Sequence, residues 1–224
     1  MPAGQGDMWV QLLGSPADFE KFVLSALESQ FDRAVDKAIS LIKTNLKPLI
    51  HEAIENCDEM EDLRNGAFRG EIGLTSSQAN GAVYEIAKAV SEAIEFKNTK
   101  SSIKKRTGGL EIYIQPSSFV NVLSIGDSSI KYYSKKYKRE VELEWLDWML
   151  TRGDAIIVGN FHFEPDVGRG RSRLGRMKKT GSWRITPSYA GTADDNFISR
   201  ALSNKSMQKA ISKIVKKAME KNWD

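Results

Sequence analysis

The chain has two histidines, His51 and His162, and a hydrolytic triad needs one of them beside a nucleophile and an orienting acid. His51 stands in His-Glu-Ala-Ile-Glu, on a helical stretch that lacks the second histidine zinc requires at that spacing. His162 sits between Phe161 and Phe163 in an apolar run and reads as an outward-facing strand residue. The single cysteine, Cys57, excludes an internal disulfide framework and a multi-thiolate zinc site. Gly168, Gly170 and Gly175 resemble a phosphate loop only loosely, because the lysine followed by Ser or Thr and the helix start are both missing. Asp194-Asp195 could hold a metal ion, but a pair of acids before Asn196 is more ordinary as a helix N-terminus. No active site assembles from these groups. The expectation is a protein without catalysis, metal or cofactor.

The chemistry that does stand out is contact with anions. From Gly168 to Gly181 the chain carries Arg169, Arg171, Arg173, Arg176, Lys178 and Lys179 with no carboxylate among them. Like charges so close repel, so a loop of one sign is expected to meet something outside the fold. The planar fork of arginine suits carboxylate or phosphate equally. A second basic stretch, IKYYSKKYK, sets Tyr132, Tyr133 and Tyr137 among Lys131, Lys135, Lys136 and Lys138. It can stack on single-stranded nucleic acid, but it reads more ordinarily as an exposed strand edge kept soluble by lysine.

These groups must be positioned by a framework, and hydrophobic spacing outlines it. Ser15-Pro16-Ala17-Asp18 is a helix start, with a Ser cap, Pro in the first turn and a carboxylate three residues on. Phe19, Phe22, Val23, Ala26, Leu27, Phe31, Ala34, Val35, Ala38 and Ile42 keep helical spacing for many turns, and Leu49, Ile50, Ala53 and Ile54 continue it. Pro48 should kink or interrupt that helix. A helix this long packs across a sheet or lies along a subunit boundary. LRNGAFRGEIGL, Leu63 to Leu74, has three glycines and predicts turns or a short irregular strand. Ser76-Ser77 caps a second helix through about Phe96, and Lys97 to Gly109 reads as an exposed basic loop.

Further strands are predicted over Leu110 to Gln115, Phe119 to Ile125 and Ile130 to Tyr137. Glu144 to Thr151 is a short apolar helix, Ala155 to Phe163 is the strongest strand, and Gly181 to Ile185 is its return. Asn196 to Leu202 forms a helical turn before a Lys-rich amphipathic helix from Met207 to Trp223. The fold class expected is α+β, an antiparallel sheet packed against a long N-terminal helix and further helices, with an extended basic hairpin-like loop. Residues 1–14 are expected to be a flexible arm, either disordered or docking on a neighbour through Trp9, and residues 15–224 a single domain.

The net charge of +4 is modest, but acid is concentrated before about Glu71 and base after Lys97. Such asymmetry fits self-assembly between unlike surfaces or contact with a polyanion. No apolar run approaches the roughly 18 residues of a membrane span, and MPAGQGDMWVQLLG lacks the basic start and apolar length of a signal peptide. Synthesis and use in a cytoplasm are expected.

The second half of the chain resembles the neck and tail-completion proteins of tailed bacteriophages. LEWLDWMLTRGDAIIV is followed by the basic GRGRSRLGRM and then by GSWRITPSYAGTADDNFISRAL. The residues that carry the likeness are Trp145, Leu146, Trp148, Arg173, Gly175, Met177, Trp183, Pro187, Tyr189, Ala190, Gly191, Thr192, Asn196, Phe197, Arg200 and Ala201. Leu63, Gly66, Arg69 and Gly73 resemble the piece that follows the first long helix in such proteins. The clear match covers about a quarter of the chain.

The resemblance implies a virion structural protein, a homo-oligomeric ring of six or twelve copies at the head-tail connector. Its partners would be its own copies, the portal or adaptor, and the tail terminator or tail tube. Genomic DNA would pass non-specifically through the bore, and no membrane would be involved. In that setting the basic loop is expected to reach a neighbour's carboxylates or to line the DNA channel, and the WRITP…NFISRAL ending to touch other subunits. A tail terminator capping the tail tube is the nearest alternative. A non-specific nucleic-acid-binding module using the two basic stretches as one patch is the other.

Overall fold

The computed structural model describes residues 15–102, 105, 107–115, 118–134 and 137–223. The arm around Trp9, residues 103, 104 and 106 of the expected basic loop, and Lys135 and Lys136 of the tyrosine–lysine stretch lie outside the described residues.

The first helix, α1 (Pro16–Glu55), starts where Ser15 and Asp18 form a reciprocal cap: the Ser15 Oγ accepts from the Asp18 N–H, and the Asp18 carboxylate accepts from the Ser15 N–H. It runs through Pro48 as one element. The proline leaves the Thr44 carbonyl without its usual donor. Leu46 and Ile50 on either side are fully buried, so packing holds the helix where local chemistry would break it. Behind it follow α2 (Asp58–Asn65), α3 (Ala67–Ile72) and α4 (Ser76–Glu92). The core is a helical seam. Ala38, Ile42, Leu46, Ile50 and Ile54 of α1 and Ala79, Ala82, Val83, Ile86, Ala87 and Val90 of α4 belong to one buried cluster, the alanines letting the helices approach closely. Each large aliphatic buried there contributes about 1.5–3 kcal/mol.

The strands form four separate two-stranded antiparallel ribbons. β1 (Glu95–Ser102) pairs with β2 (Thr107–Tyr113), and after α5 (Val120–Leu123), β3 (Ile130–Ser134) pairs with β4 (Arg139–Leu143). After α6 (Trp145–Leu150), β5 (Val158–Gly159) pairs with β8 (Ser182–Trp183) around the inner pair β6 (His162–Pro165) and β7 (Gly175–Lys178). Helices α7 (Phe197–Ser203) and α8 (Lys205–Lys221) return to α1. The architecture is mixed α+β, as the hydrophobic spacing predicts, with small ribbons in place of one sheet. Among the described residues no helix is long and apolar enough to cross a membrane.

Several local expectations are corrected. LRNGAFRGEIGL is helical: Phe68 and Ile72, one turn apart, are buried, and Gly66 and Gly73 sit at the ends of α3. The cap of α4 is Thr75, with Gln78 answering it, and the helix stops at Glu92 because Phe96 belongs to β1. The supposed loop from Lys97 is largely β1 and β2, since α1 supplies partners for its polar side chains. Asp32 accepts from the Ser101 amide at 3.0 Å, and Asp36 accepts from Asn98 at 2.6 Å. Lys97 faces Glu111 across the ribbon at 3.6 Å.

Phe119 to Ile125 contains the helical turn α5, entered through Phe119 at φ 52° with Val122 buried, where a strand was expected. A short apolar run does not distinguish the two by spacing. The long strand expected over Ala155 to Phe163 is broken into β5 and β6 by Asn160 at φ 62°, and Ile156 is exposed. The cap of α7 is Asn196 and not the Asp194-Asp195 pair.

Candidate interaction surfaces

The basic excursion is a folded hairpin. Its backbone is cross-linked by Asp166 N–H to Leu174 O, Gly168 N–H to Arg173 O and Gly175 N–H to Arg169 O. Gly170 (φ 69°) and Gly175 make it possible: a Cβ on Gly170 would lie 1.9 Å from the Gly175 carbonyl oxygen, and one on Gly175 would enter the Phe163 ring. Phe163 and Leu174 in turn seat the hairpin on α3 at Gly70.

Two carboxylates just before the loop change its electrostatics. Asp166 pairs with Arg169 at 3.0 Å. Glu164 pairs with Arg176 at 3.5 Å and with Lys178 at closer range, and the Lys178 bond holds its carboxyl below the usual range. Arg171 reaches back as a strut, donating to the Gly73 carbonyl at 3.1 Å and to the Lys131 carbonyl at 3.4 Å. Arg173 and Lys179 alone of the six cations have no partner among the described residues. Four of the loop's six cations are therefore engaged by the chain itself.

The tryptophan-rich helix and the ending are mostly internal. Trp145 is fully buried and donates from its indole to the Asp127 carbonyl at 2.8 Å, and Trp148 packs partly buried against the core. Trp183 is buried with its indole 3.4 Å from the Glu71 carboxylate, whose pKa is raised by burial. Tyr189 sets its ring edge against Phe68 at 5.4 Å. A Cβ on Gly191 would lie 2.0 Å from the Met149 carbonyl, so the loop lies flush on α6.

Thr192 closes a turn through its N–H to the Asp195 carbonyl at 2.7 Å. Buried Asn196 accepts from the amides of Ile198 and Ser199 and donates to the carbonyls of Thr192 and Ala193, so all its polar capacity is used. Phe197 is buried, and Arg200 bonds the Ser188 and Ala190 carbonyls and faces Glu59 at 3.6 Å. Of this group Pro187 and Thr192 are exposed. The ending's aromatic and cap residues thus buttress the subunit from within.

The surface that the residue pattern did not single out is the first half of α1. Phe19, Phe22, Val23, Ala26 and Leu27 keep i, i+3, i+4, i+7, i+8 spacing, and Phe22 is 72% exposed and Phe19 55%. No described residue from Ser15 to Arg33 has a buried side chain. Among the described residues the body meets this stretch only near its base, where Ser101 bonds the Glu28 carbonyl and Phe31 stands edge-on to Trp223 at 6.1 Å. About 27 Å of amphipathic helix thus presents an apolar stripe to solvent. Its periodicity was legible; its lack of cover was not.

His51 lies 3.4 Å from Glu55 and edge-on to Tyr84, and His162 meets Thr180 across the hairpin at 3.0 Å. Burial pushes the Cys57 thiol up to about 12, so it is a poor nucleophile at neutral pH. Among the described residues no group of three His, Cys, Asp or Glu could hold a metal ion, and Asp194-Asp195 is no exception. Comparison of the chain with family models, curated proteins and solved structures returns no match.

Proposed function

We propose that the protein is a non-catalytic structural subunit that assembles with copies of itself into a ring of the phage head-tail connector. The observation that carries the reading is the apolar stripe of α1 that no described residue covers. A soluble subunit rarely leaves apolar side chains at helical spacing over this length without a partner to bury them. Unlike surfaces on one chain suit head-to-tail closure into a ring. The resemblance of the tryptophan-rich helix, the basic hairpin and the ending to neck and tail-completion proteins supplies the setting, with portal or adaptor on one side and tail on the other.

The test is light scattering behind size exclusion on the full chain and on F22D and L27D. The expected result is a concentration-dependent oligomer for the natural chain and monomers for both variants, with unchanged urea midpoints. A natural chain that stays monomeric and is absent from the necks of purified particles overturns the reading.

The nucleic-acid-module reading is favoured by one contact. Arg171 bonds the Lys131 carbonyl, which brings the hairpin beside the ribbon that carries exposed Tyr133 and Tyr137. It predicts DNA affinity that falls when Arg173 and Lys179 are neutralised.

A further inference from the structure

We infer that the solvent face of α8 is a binding ridge for the phosphate backbone of duplex DNA. Helix α8 runs 17 residues, and Lys205, Lys209, Lys213, Lys216, Lys217 and Lys221 are all exposed on it. At 100° per residue, Lys205, Lys209, Lys213 and Lys216 fall within a quarter-turn of one another, and Lys217 flanks them. The ridge from Lys205 to Lys217 is about 18 Å long, with a positive charge about every 6 Å. One carboxylate interrupts it, Glu220, 3.8 Å from Lys216. Lys205, Lys209, Lys213, Lys217 and Lys221 have no ion pair among the described residues.

This is the opposite of the hairpin, where four of the six cations are engaged within the chain. A regular line of free point charges matches a polyanion whose charge also repeats, at about one per 1.7 Å of duplex axis. It has no fork-like donors aimed at a particular base or carboxylate, so contact is non-specific and salt-sensitive.

A Lys-rich amphipathic helix also suggests an anionic membrane, but that binding needs a free apolar face. Here the apolar face is in use. Met207 and Ala218 are buried, and Ile211, Ile214, Val215 and Met219 pack against the core. The far end is tied down where Trp223 meets Phe31 and its carbonyl accepts from Gln30 at 3.1 Å. The helix presents its lysines and keeps its grease.

The ridge itself is independent of the connector reading, but the choice of DNA as the natural polyanion rests on it. The experiment is fluorescence anisotropy with a mixed-sequence DNA duplex across a salt series, on the full chain. The variants are K205Q/K209Q/K213Q/K217Q, the corresponding Lys→Arg set, and R173Q/K179Q in the hairpin. Glutamine and lysine have similar helix propensity, so the fold survives the change. The first variant should bind at least about tenfold more weakly, with the slope of log affinity against log salt reduced by about 3 to 4. The arginine set should bind as the natural chain does, and the hairpin variant should differ less than about twofold.

No duplex binding at low salt, or a loss that follows the hairpin variant instead, overturns the assignment. So does tighter binding to vesicles of phosphatidylserine and phosphatidylcholine with a blue shift of Trp223 emission. Light scattering on the same samples separates the two ideas: oligomers whose DNA affinity ignores α8 sink only the ridge, and monomers that bind DNA through α8 sink only the connector.

Discussion

Helix α1 contains two regions with one sequence rhythm and opposite fates. From Ala34 to Ile54 the apolar positions are at most 2% exposed at Ala34, Val35, Ala38, Ile42, Leu46, Ile50 and Ile54. From Phe19 to Leu27 the same spacing leaves Phe19, Phe22, Val23 and Leu27 in solvent. Helices α4, α7 and α8 all pack on α1, yet no described side chain from Ser15 to Arg33 is buried. Periodicity tells which face of a helix seeks cover. It does not say whether the cover belongs to the same chain.

The largest effect should come from truncating matched residues in the two halves. Leu46→Ala removes a fully buried side chain and should lower unfolding free energy by 2–5 kcal/mol, about the cost of a core cavity. Leu27→Ala should leave the dilute subunit within about 0.5 kcal/mol of the natural chain, while weakening self-association. Urea denaturation at low protein concentration measures both. A Leu27→Ala loss as large as that of Leu46→Ala would mean that the first half is already packed within its own chain.

A second, smaller contrast lies inside the covered half. Pro48 is exposed on α1 yet its backbone sits in a continuous helix. An interior proline costs about 3 kcal/mol relative to alanine, and its rigidity returns about 0.4–1 kcal/mol through the unfolded chain. Pro48→Ala should therefore stabilise the subunit by about 2 kcal/mol, read as a higher urea midpoint. No gain would show that the helix has already adapted its backbone at Thr44.

The same distinction explains what was legible in the sequence. The cap at Ser15, the apolar helix around Trp145 and the helical stripe of α1 are local signals, and the structure has them in place. The β1 ribbon was hidden because its polar side chains are satisfied by Asp32 and Asp36, some sixty residues earlier in the chain. The apolar run from Ala155 promised a strand, but Asn160 turns left-handed within it. The charge of the basic hairpin was readable, whereas the pairing of Glu164 with Arg176 and Lys178 depends on the register of β6 against β7. The lysine spacing of α8 was equally visible, and only packing shows that its apolar face is spent.

The smallest effect should appear at the start of α1, where no described side chain is buried and local terms decide. Ser15 hydrogen bonds hold the Asp18 carboxyl below its ordinary value, and they bond the ionised form. A depressed carboxylate favours the folded turn above its unfolded pKa, and that contribution is lost as pH falls through the folded value. The first turns of α1 should therefore fray on acidification before the body unfolds.

Ser15→Ala removes the cap, worth about 1 kcal/mol locally, and should speed amide exchange in the first turns about fivefold at neutral pH. The global urea midpoint should stay fixed, because no described side chain near the cap is buried. In Asp18→Asn the acid-dependent fraying should disappear, since nothing at the cap then titrates. Exchange that slows in the assembled state but not in the dilute subunit would show that neighbouring copies supply the cover that this half of the helix lacks.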